Sequence, residues 1–218
     1  IEFNNDYIPT FNNVKEFNLD NTGTTETSNA LSSVYGRLQY NYKGKYLVSG
    51  SLRRDGSSRF GANRRWGNFP AAQVGWQVAK EKFMKPIKSV LNEFKIRASY
   101  AITGNERIGD FESVALYDPG NFYNSVSGIA PSQLGNNDLG WEETTQENYG
   151  VDLSFFRNKF SISVDRYIKT TDDLLYSVPI PEETGFNTIR TNIGSVQNKG
   201  WDVSISGTPV KTKNFTWN

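Results

Sequence analysis

The sequence has no cysteine and no histidine. The first absence excludes disulfides, zinc–thiolate sites and thiol nucleophiles. The second removes the commonest general base and the commonest transition-metal ligand. An excess of either charge is missing too: 24 Lys and Arg face 23 Asp and Glu. No run of like charge marks a tail, so the usual electrostatic case for a nucleic-acid partner is gone. No stretch approaches the roughly 18 consecutive apolar residues of a membrane helix. The opening residues, Ile1 to Asn5, have neither the basic nor the apolar region of an export signal. There is no initiator Met, and Thr216-Trp217 resembles the start of another strand. These ends lead us to expect an interior piece of a longer chain.

Hydrophobic residues make up 36% of the chain, yet aromatics reach 14%, with 19 Gly. That mixture suits a β-rich protein and in particular a transmembrane barrel. The informative signal is period two. From Phe94 to Thr103, Phe94, Ile96, Ala98, Tyr100 and Ile102 alternate with Lys95, Arg97, Ser99, Ala101 and Thr103. Successive strand side chains point to opposite faces, so one face is apolar and the other polar. The same split recurs around Val34–Tyr42, Tyr46–Arg53, Gln73–Val78, Tyr149–Phe155, Phe160–Asp165 and Trp201–Ser206. That predicts seven strands, with an eighth beginning near Phe215. The best helical candidate is Lys80 to Leu91, which Pro86 would end or kink.

The links alternate in length. Tyr42 to Lys45, Arg157 to Lys159 and Val210 to Asn214 are short, and Lys80 to Leu91 is of medium length. Asp55 to Arg65, Gly104 to Gly140 and Ser177 to Arg190 are long. Antiparallel pairing puts all the long links at one end, the arrangement of outer-membrane barrels with short periplasmic turns and long extracellular loops. In such a barrel the polar face, with Arg37, Arg53, Lys95, Arg97 and Asp152, lines the lumen. A charge at mid-depth on the outer face would cost about 2–4 kcal/mol. Tyr40, Tyr42, Tyr46, Phe155, Phe156 and Phe160 flank the short turns and read as a periplasmic aromatic girdle.

Several stretches resemble the C-terminal half of the SusC/RagA-type TonB-dependent transporters of Bacteroidota. They include Asn41-Tyr42-Lys43-Gly44-Lys45-Tyr46-Leu47, Leu52-Arg53-Arg54-Asp55-Gly56-Ser57-Ser58-Arg59-Phe60-Gly61 and Arg65-Trp66-Gly67-Asn68-Phe69-Pro70. Lys95-Ile96-Arg97-Ala98-Ser99-Tyr100, Leu139-Gly140-Trp141-Glu142 and Asn198-Lys199-Gly200-Trp201 follow in order, so the resemblance spans about Leu31 to Ser206. It implies a large barrel, of 22 strands around a plugged lumen, in the outer membrane of a Gram-negative bacterium. It implies import of oligosaccharides or peptides, with energy delivered through TonB and a SusD-like surface lipoprotein as lid. Residues 31–218 are then all-β, antiparallel barrel wall of about seven to eight strands. Residues 1–30 form an extracellular loop or irregular lead-in. The chain holds no candidate plug domain, through which TonB would act, so it cannot transport by itself.

Catalytic and metal chemistry find no support in the residues. The pairs Glu142-Glu143, Asp172-Asp173 and Glu182-Glu183 invite a glycosidase reading. Strand neighbours point to opposite faces, however, so these read as solvated loop charge, and no cofactor is expected. Arg53 and Arg59, among the arginines around one long loop, are candidates for steering an anionic ligand. Tyr117, Phe122, Tyr123 and Trp141, in or beside the longest loop, are candidates for stacking on a glycan or peptide. Packing within that loop is an equal reading of the same aromatics. Two other classes remain: a small eight-stranded outer-membrane anchor or adhesin barrel, and a soluble β-rich binding domain.

Overall fold

The computed structural model describes residues 26–123, 126–211 and 216–217, with the side chains at 120–123, 127, 210, 211 and 216 outside that description. The strands are β1 (Leu31–Tyr42), β2 (Tyr46–Ser57), β3 (Trp66–Gln77), β4 (Leu91–Asn105), β5 (Leu116–Tyr123), β6 (Val126–Gln133) and β7 (Glu142–Phe155). They continue as β8 (Phe160–Asp172), β9 (Leu175–Pro179), β10 (Thr188–Asn192), β11 (Ser195–Gly207), β12 (Val210–Lys211) and β13 (Thr216–Trp217). Seven of them form one antiparallel sheet in the order β1-β2-β3-β4-β7-β8-β11. These are the seven segments whose alternation is legible in the sequence.

Directly paired residues share a face, so register shows what each face presents. One row runs Tyr42, Tyr46, Trp76, Ile96, Val151, Val164 and Val203 across all seven strands. The parallel row on the other face carries Lys95, Asp152, Ser163 and Ser204. The apolar stretch is centred near Leu38 on β1 but near Ile162 on β8, closer to the short-turn end in register. That is a slip of about one residue per strand. A 3.3 Å rise set against a spacing near 4.8 Å tilts the strands by roughly 35°, within the range of closed barrels. The sheet itself is open. Among the described residues β1 and β11 each pair on one side only, and β13 pairs with β12 rather than with β1.

The short turns follow from local chemistry. The β1–β2 turn is closed by the Lys45 amide donating to the Tyr42 carbonyl at 2.9 Å. Lys43 and Gly44 both have positive φ, the backbone that glycine adopts without penalty and that matches strand twist in a hairpin. Asn41 Oδ1 accepts from the Gly44 amide at 2.8 Å. The β7–β8 turn puts Phe156, Arg157 and Asn158 at positive φ. The helical candidate after β3 is corrected to two 3-10 segments, Val78–Lys80 and Lys82–Ile87, with Pro86 inside the second. Proline removes a donor, and the segment stays short.

The long links contain structure that alternation does not announce. The β4–β7 link carries the β5–β6 hairpin, and the β8–β11 link carries β9–β10. Pro70 shapes the sheet at this end. β2 pairs with β3 as far as Trp66, whereas β3 pairs with β4 only from Ala71. Proline has no N–H for a second ladder, so β3 and β4 part there. The principal buried hydrophobic cluster among the described residues fills this end: Phe60, Phe69, Ile108, Leu139 and Trp141, with Ile102 and Leu175 packed against it.

Candidate functional site

The apolar face is the largest feature of the molecule. Among the described residues, 33 large hydrophobic side chains are exposed and eight hydrophobic residues are buried. A water-soluble domain has the reverse arrangement, since large contiguous apolar patches are rare on monomers. Val74 is 52% exposed and Val203 61%. Phe94, Val151, Leu153, Ile162 and Val164 are half-buried by their own neighbours in the sheet, and none belongs to the core cluster.

The opposite face is polar, with a cleft of about 410 Å³ that Ser49, Gln73, Lys95, Arg97, Ser99 and Asn148 help to line. Beside it Arg97 donates through Nε to Asp152 at 3.0 Å and through Nη2 to Asp165 at 2.6 Å. Ser163 Oγ donates to Asp152 at 2.7 Å. Gly150 makes this possible. A Cβ there would lie 2.5 Å from Asp165 Oδ1 and 2.6 Å from the Arg97 guanidinium carbon. The guanidinium therefore lies flat across a bare backbone to reach the next strand. Paired charges tolerate partial burial that single ones do not.

At the long-link end, three links are knitted together. Trp141 is 5% exposed; its ring meets Phe60 at 4.9 Å and Phe69 at 5.2 Å, and its indole N–H donates to the Arg65 carbonyl at 3.0 Å. The Gly61 amide donates to the Leu139 carbonyl at 2.8 Å. Asn192 clamps the third link: Oδ1 accepts from the Gly140 amide at 2.7 Å, and Nδ2 donates to the carbonyls of Gly140 and Asp173, each at 2.9 Å. Arg64 pairs with Asp173 at 2.5 Å, and Arg190 with Glu112 at 3.2 Å.

The sequence-predicted ligand residues separate within this end. Trp141 is in the core, where it holds links together. Arg59 pairs with Asp110 at 2.8 Å, which raises the guanidinium pKa further. Arg53, half exposed, pairs with the buried Asp55 at 2.7 Å. Tyr117, on β5, is 65% exposed. Phe122 and Tyr123 pair by backbone with Ser127 and Val126, and their side chains fall outside the described residues. Of residues 1–30, only 26–30 are described; Ala30 exchanges hydrogen bonds with Ser58, so the lead-in reaches β1 at the long-link end. Asn192, Phe60 and Leu139 were missed as organisers. An asparagine clamp leaves no periodic signal, and buried loop residues have no alternating partner.

The short-turn end is different in chemistry. Tyr40, Tyr42, Tyr46 and Trp76 form a stacked series with centroid distances of 6.5, 6.3 and 6.4 Å. Glu81 ties it to the link after β3, accepting from Lys45 Nζ at 2.8 Å, Tyr46 Oη at 2.8 Å and Trp76 Nε1 at 3.3 Å. Lys45 first, then Tyr46, hold the Glu81 carboxyl down at about 2. The described links at this end carry Lys43 and Lys45, then Lys80, Lys82, Lys85 and Lys88, then Arg157 and Lys159, against Glu81 as the single acid. At the other end acids prevail: Glu106, Asp110, Glu112, Asp118, Asp138, Asp173, Glu182 and Glu183 outnumber Arg59, Arg64, Arg65, Arg107 and Arg190.

Known proteins match this arrangement. The family model described as TonB dependent receptor-like, beta-barrel, matches residues 1–218. The chain is 68% identical over 217 residues to TonB-dependent receptor P39 of Formosa agariphila, covering 100% of this chain and 21% of that protein. It is 41% identical over 199 residues to TonB-dependent receptor SusC of Bacteroides thetaiotaomicron, covering 88% of this chain and 20% of SusC. The solved RagAB peptide transporter superposes with a TM-score of 0.78 at 33% identity, over 86% of this chain and 21% of that one. The chain thus spans about a fifth of the length of the relatives it matches.

Proposed function

The chain belongs to the TonB dependent receptor-like β-barrel family, and on that premise we propose that it is a section of the wall of an outer-membrane nutrient importer. Its apolar face meets lipid and its polar face lines the lumen. The β2–β3, β4–β7 and β8–β11 links, with residues 1–30 as lead-in, stand on the extracellular side. The full protein draws energy through TonB, works with a SusD-like lipoprotein lid, and imports glycans or peptides. Tyr117, Phe122 and Tyr123 on the projecting hairpin contact substrate or lid, and Arg53 and Arg59 steer anionic groups toward it. Trp141 acts beneath them as support.

The observation that carries this reading is the uninterrupted apolar row from Tyr42 to Val203 on a tilted, open sheet whose long links gather at one end. Likeness to SusC and to the RagAB peptide transporter supports the choice of transport over other barrel functions. The family is one of receptors and transporters, not enzymes. The open sheet speaks against a self-contained eight-stranded anchor, and the exposed apolar face against a soluble domain.

Deleting Tyr117 to Pro131 in the full-length protein tests it. The main ladder does not include this hairpin, so the barrel should still assemble while uptake from a panel of oligosaccharides and peptides, or capture of the lipoprotein, falls. Unchanged uptake together with unchanged capture would remove the hairpin from the mechanism.

A further inference from the structure

We propose that the short-turn rim of the sheet binds the headgroups of anionic phospholipids in the leaflet it faces; this rests on the membrane-wall reading above. The link after β3 provides the main surface. Lys82, Lys85 and Lys88 alternate with Phe83, Ile87 and Val90, and all six are exposed. Phe83 is 65% exposed, while Met84, Val78 and Ala79 turn inward and fix the segment to the sheet. None of the three lysines has an ion-pair partner among the described residues, whereas Lys45, one strand away, is consumed by Glu81.

Position decides what these cations meet. Glu81 bonds the side chains of Tyr46 and Trp76, both in the apolar row, so the link begins at the lower margin of the apolar face. Lys43 Nζ sits 4.9 Å from the Tyr42 ring centroid on the same margin. Exposed Phe156 and Phe160, beside Arg157 and Lys159, repeat the pattern across the sheet. Apolar side chains at the acyl boundary with lysines just beyond are the composition of a surface that reads anionic headgroups. The long-link end is net acidic, and the chain's overall balance of charge conceals the asymmetry.

The test uses the full-length protein in membranes of equal parts phosphatidylcholine and phosphatidylglycerol, extracted in detergent, with bound lipid identified by mass spectrometry. The wild type should retain phosphatidylglycerol in preference to phosphatidylcholine. Lys82→Gln with Lys85→Gln and Lys88→Gln should reduce that retention at least about tenfold, each lysine near a charged surface being worth roughly fivefold in binding. The corresponding three Lys→Arg changes should restore it. Heat-modifiable migration confirms that each variant is assembled. Equal retention by the Gln variant, or no rescue by arginine, would overturn the proposal. So would lysine-dependent capture of polyglutamate without lipid preference, which would assign the rim to an acidic protein. Failure of the wild type to enter any bilayer would instead sink the membrane-wall reading.

Discussion

The two ends of the same seven strands are built on opposite principles. At the short-turn end the contacts are polar and aromatic and reach no further than a neighbouring link: a three-residue turn, a stacked aromatic series and one carboxylate holding a lysine, a tyrosine and a tryptophan. At the long-link end the contacts join residues far apart in sequence, around Phe60, Leu139 and Trp141. Lipid can cover apolar side chains only where the strands are immersed. Links that stand in water must bury their own hydrophobic residues and satisfy their own backbone groups. The long links therefore fold as a small soluble core on top of a sheet that has none.

Removing Trp141 should separate the two ends most sharply. Trp141→Ala leaves a cavity among Phe60, Phe69 and Leu139 and an Arg65 carbonyl that keeps only the Ser57 amide, at about 3–5 kcal/mol. Hydrogen exchange should accelerate in residues 58–65 and 136–141 and stay slow in the middle of β4 and β7. Uniform acceleration would mean the ends are one cooperative unit.

Charge should be tolerated differently on the two faces of the sheet. Val151→Arg on the apolar face should cost about 2–4 kcal/mol of folding stability in lipid vesicles if it lies near mid-depth. Ser99→Arg on the polar face should change little. Equal penalties would contradict the assignment of faces. Asn192→Ala comes next, at about 1–3 kcal/mol for the stranded Gly140 and Asp173 groups. Limited proteolysis should find the β8–β11 link cut faster, with the barrel intact.

The smallest effect concerns Glu81. Its folded carboxyl titrates at about 2 against an ordinary 4.5, so its contribution is complete above pH 4.5 and is lost as pH falls through 4.5 toward 2. The stability difference between wild type and Glu81→Gln should be constant above pH 4.5 and shrink below it. A difference growing with acidity would reverse the sign.

The seven wall strands were legible because immersion enforces alternation. Phe94 through Ala98 is readable since every even position must suit lipid. The upper parts of β8 and β11 were not, because above the membrane both faces are wet. In register, Tyr100 already faces Glu147, and Ile102 faces Thr145. The hairpins β5–β6 and β9–β10 escaped for the same reason. Of the proposed site, loop length alone nominated the hairpin aromatics, and Trp141 was read alike as ligand platform or packing residue. Sequence has no sign for whether a loop tryptophan faces in or out; the neighbours that enclose it, Phe60 and Phe69, come from other links. Glu81 hid among lysines, where a lone carboxylate looks like surface charge.

Adjacent residues of the sheet face different media, and Gln73 and Val74 report on both. Each is exposed, and they point to opposite faces of β3. In the full-length protein in bilayers, a fluorophore on Val74→Cys should be quenched by brominated lipid chains and protected from aqueous iodide. The same fluorophore on Gln73→Cys should be quenched by iodide and ignored by the lipid. Identical responses at the two positions, or iodide access at Val74 alone, would contradict the account.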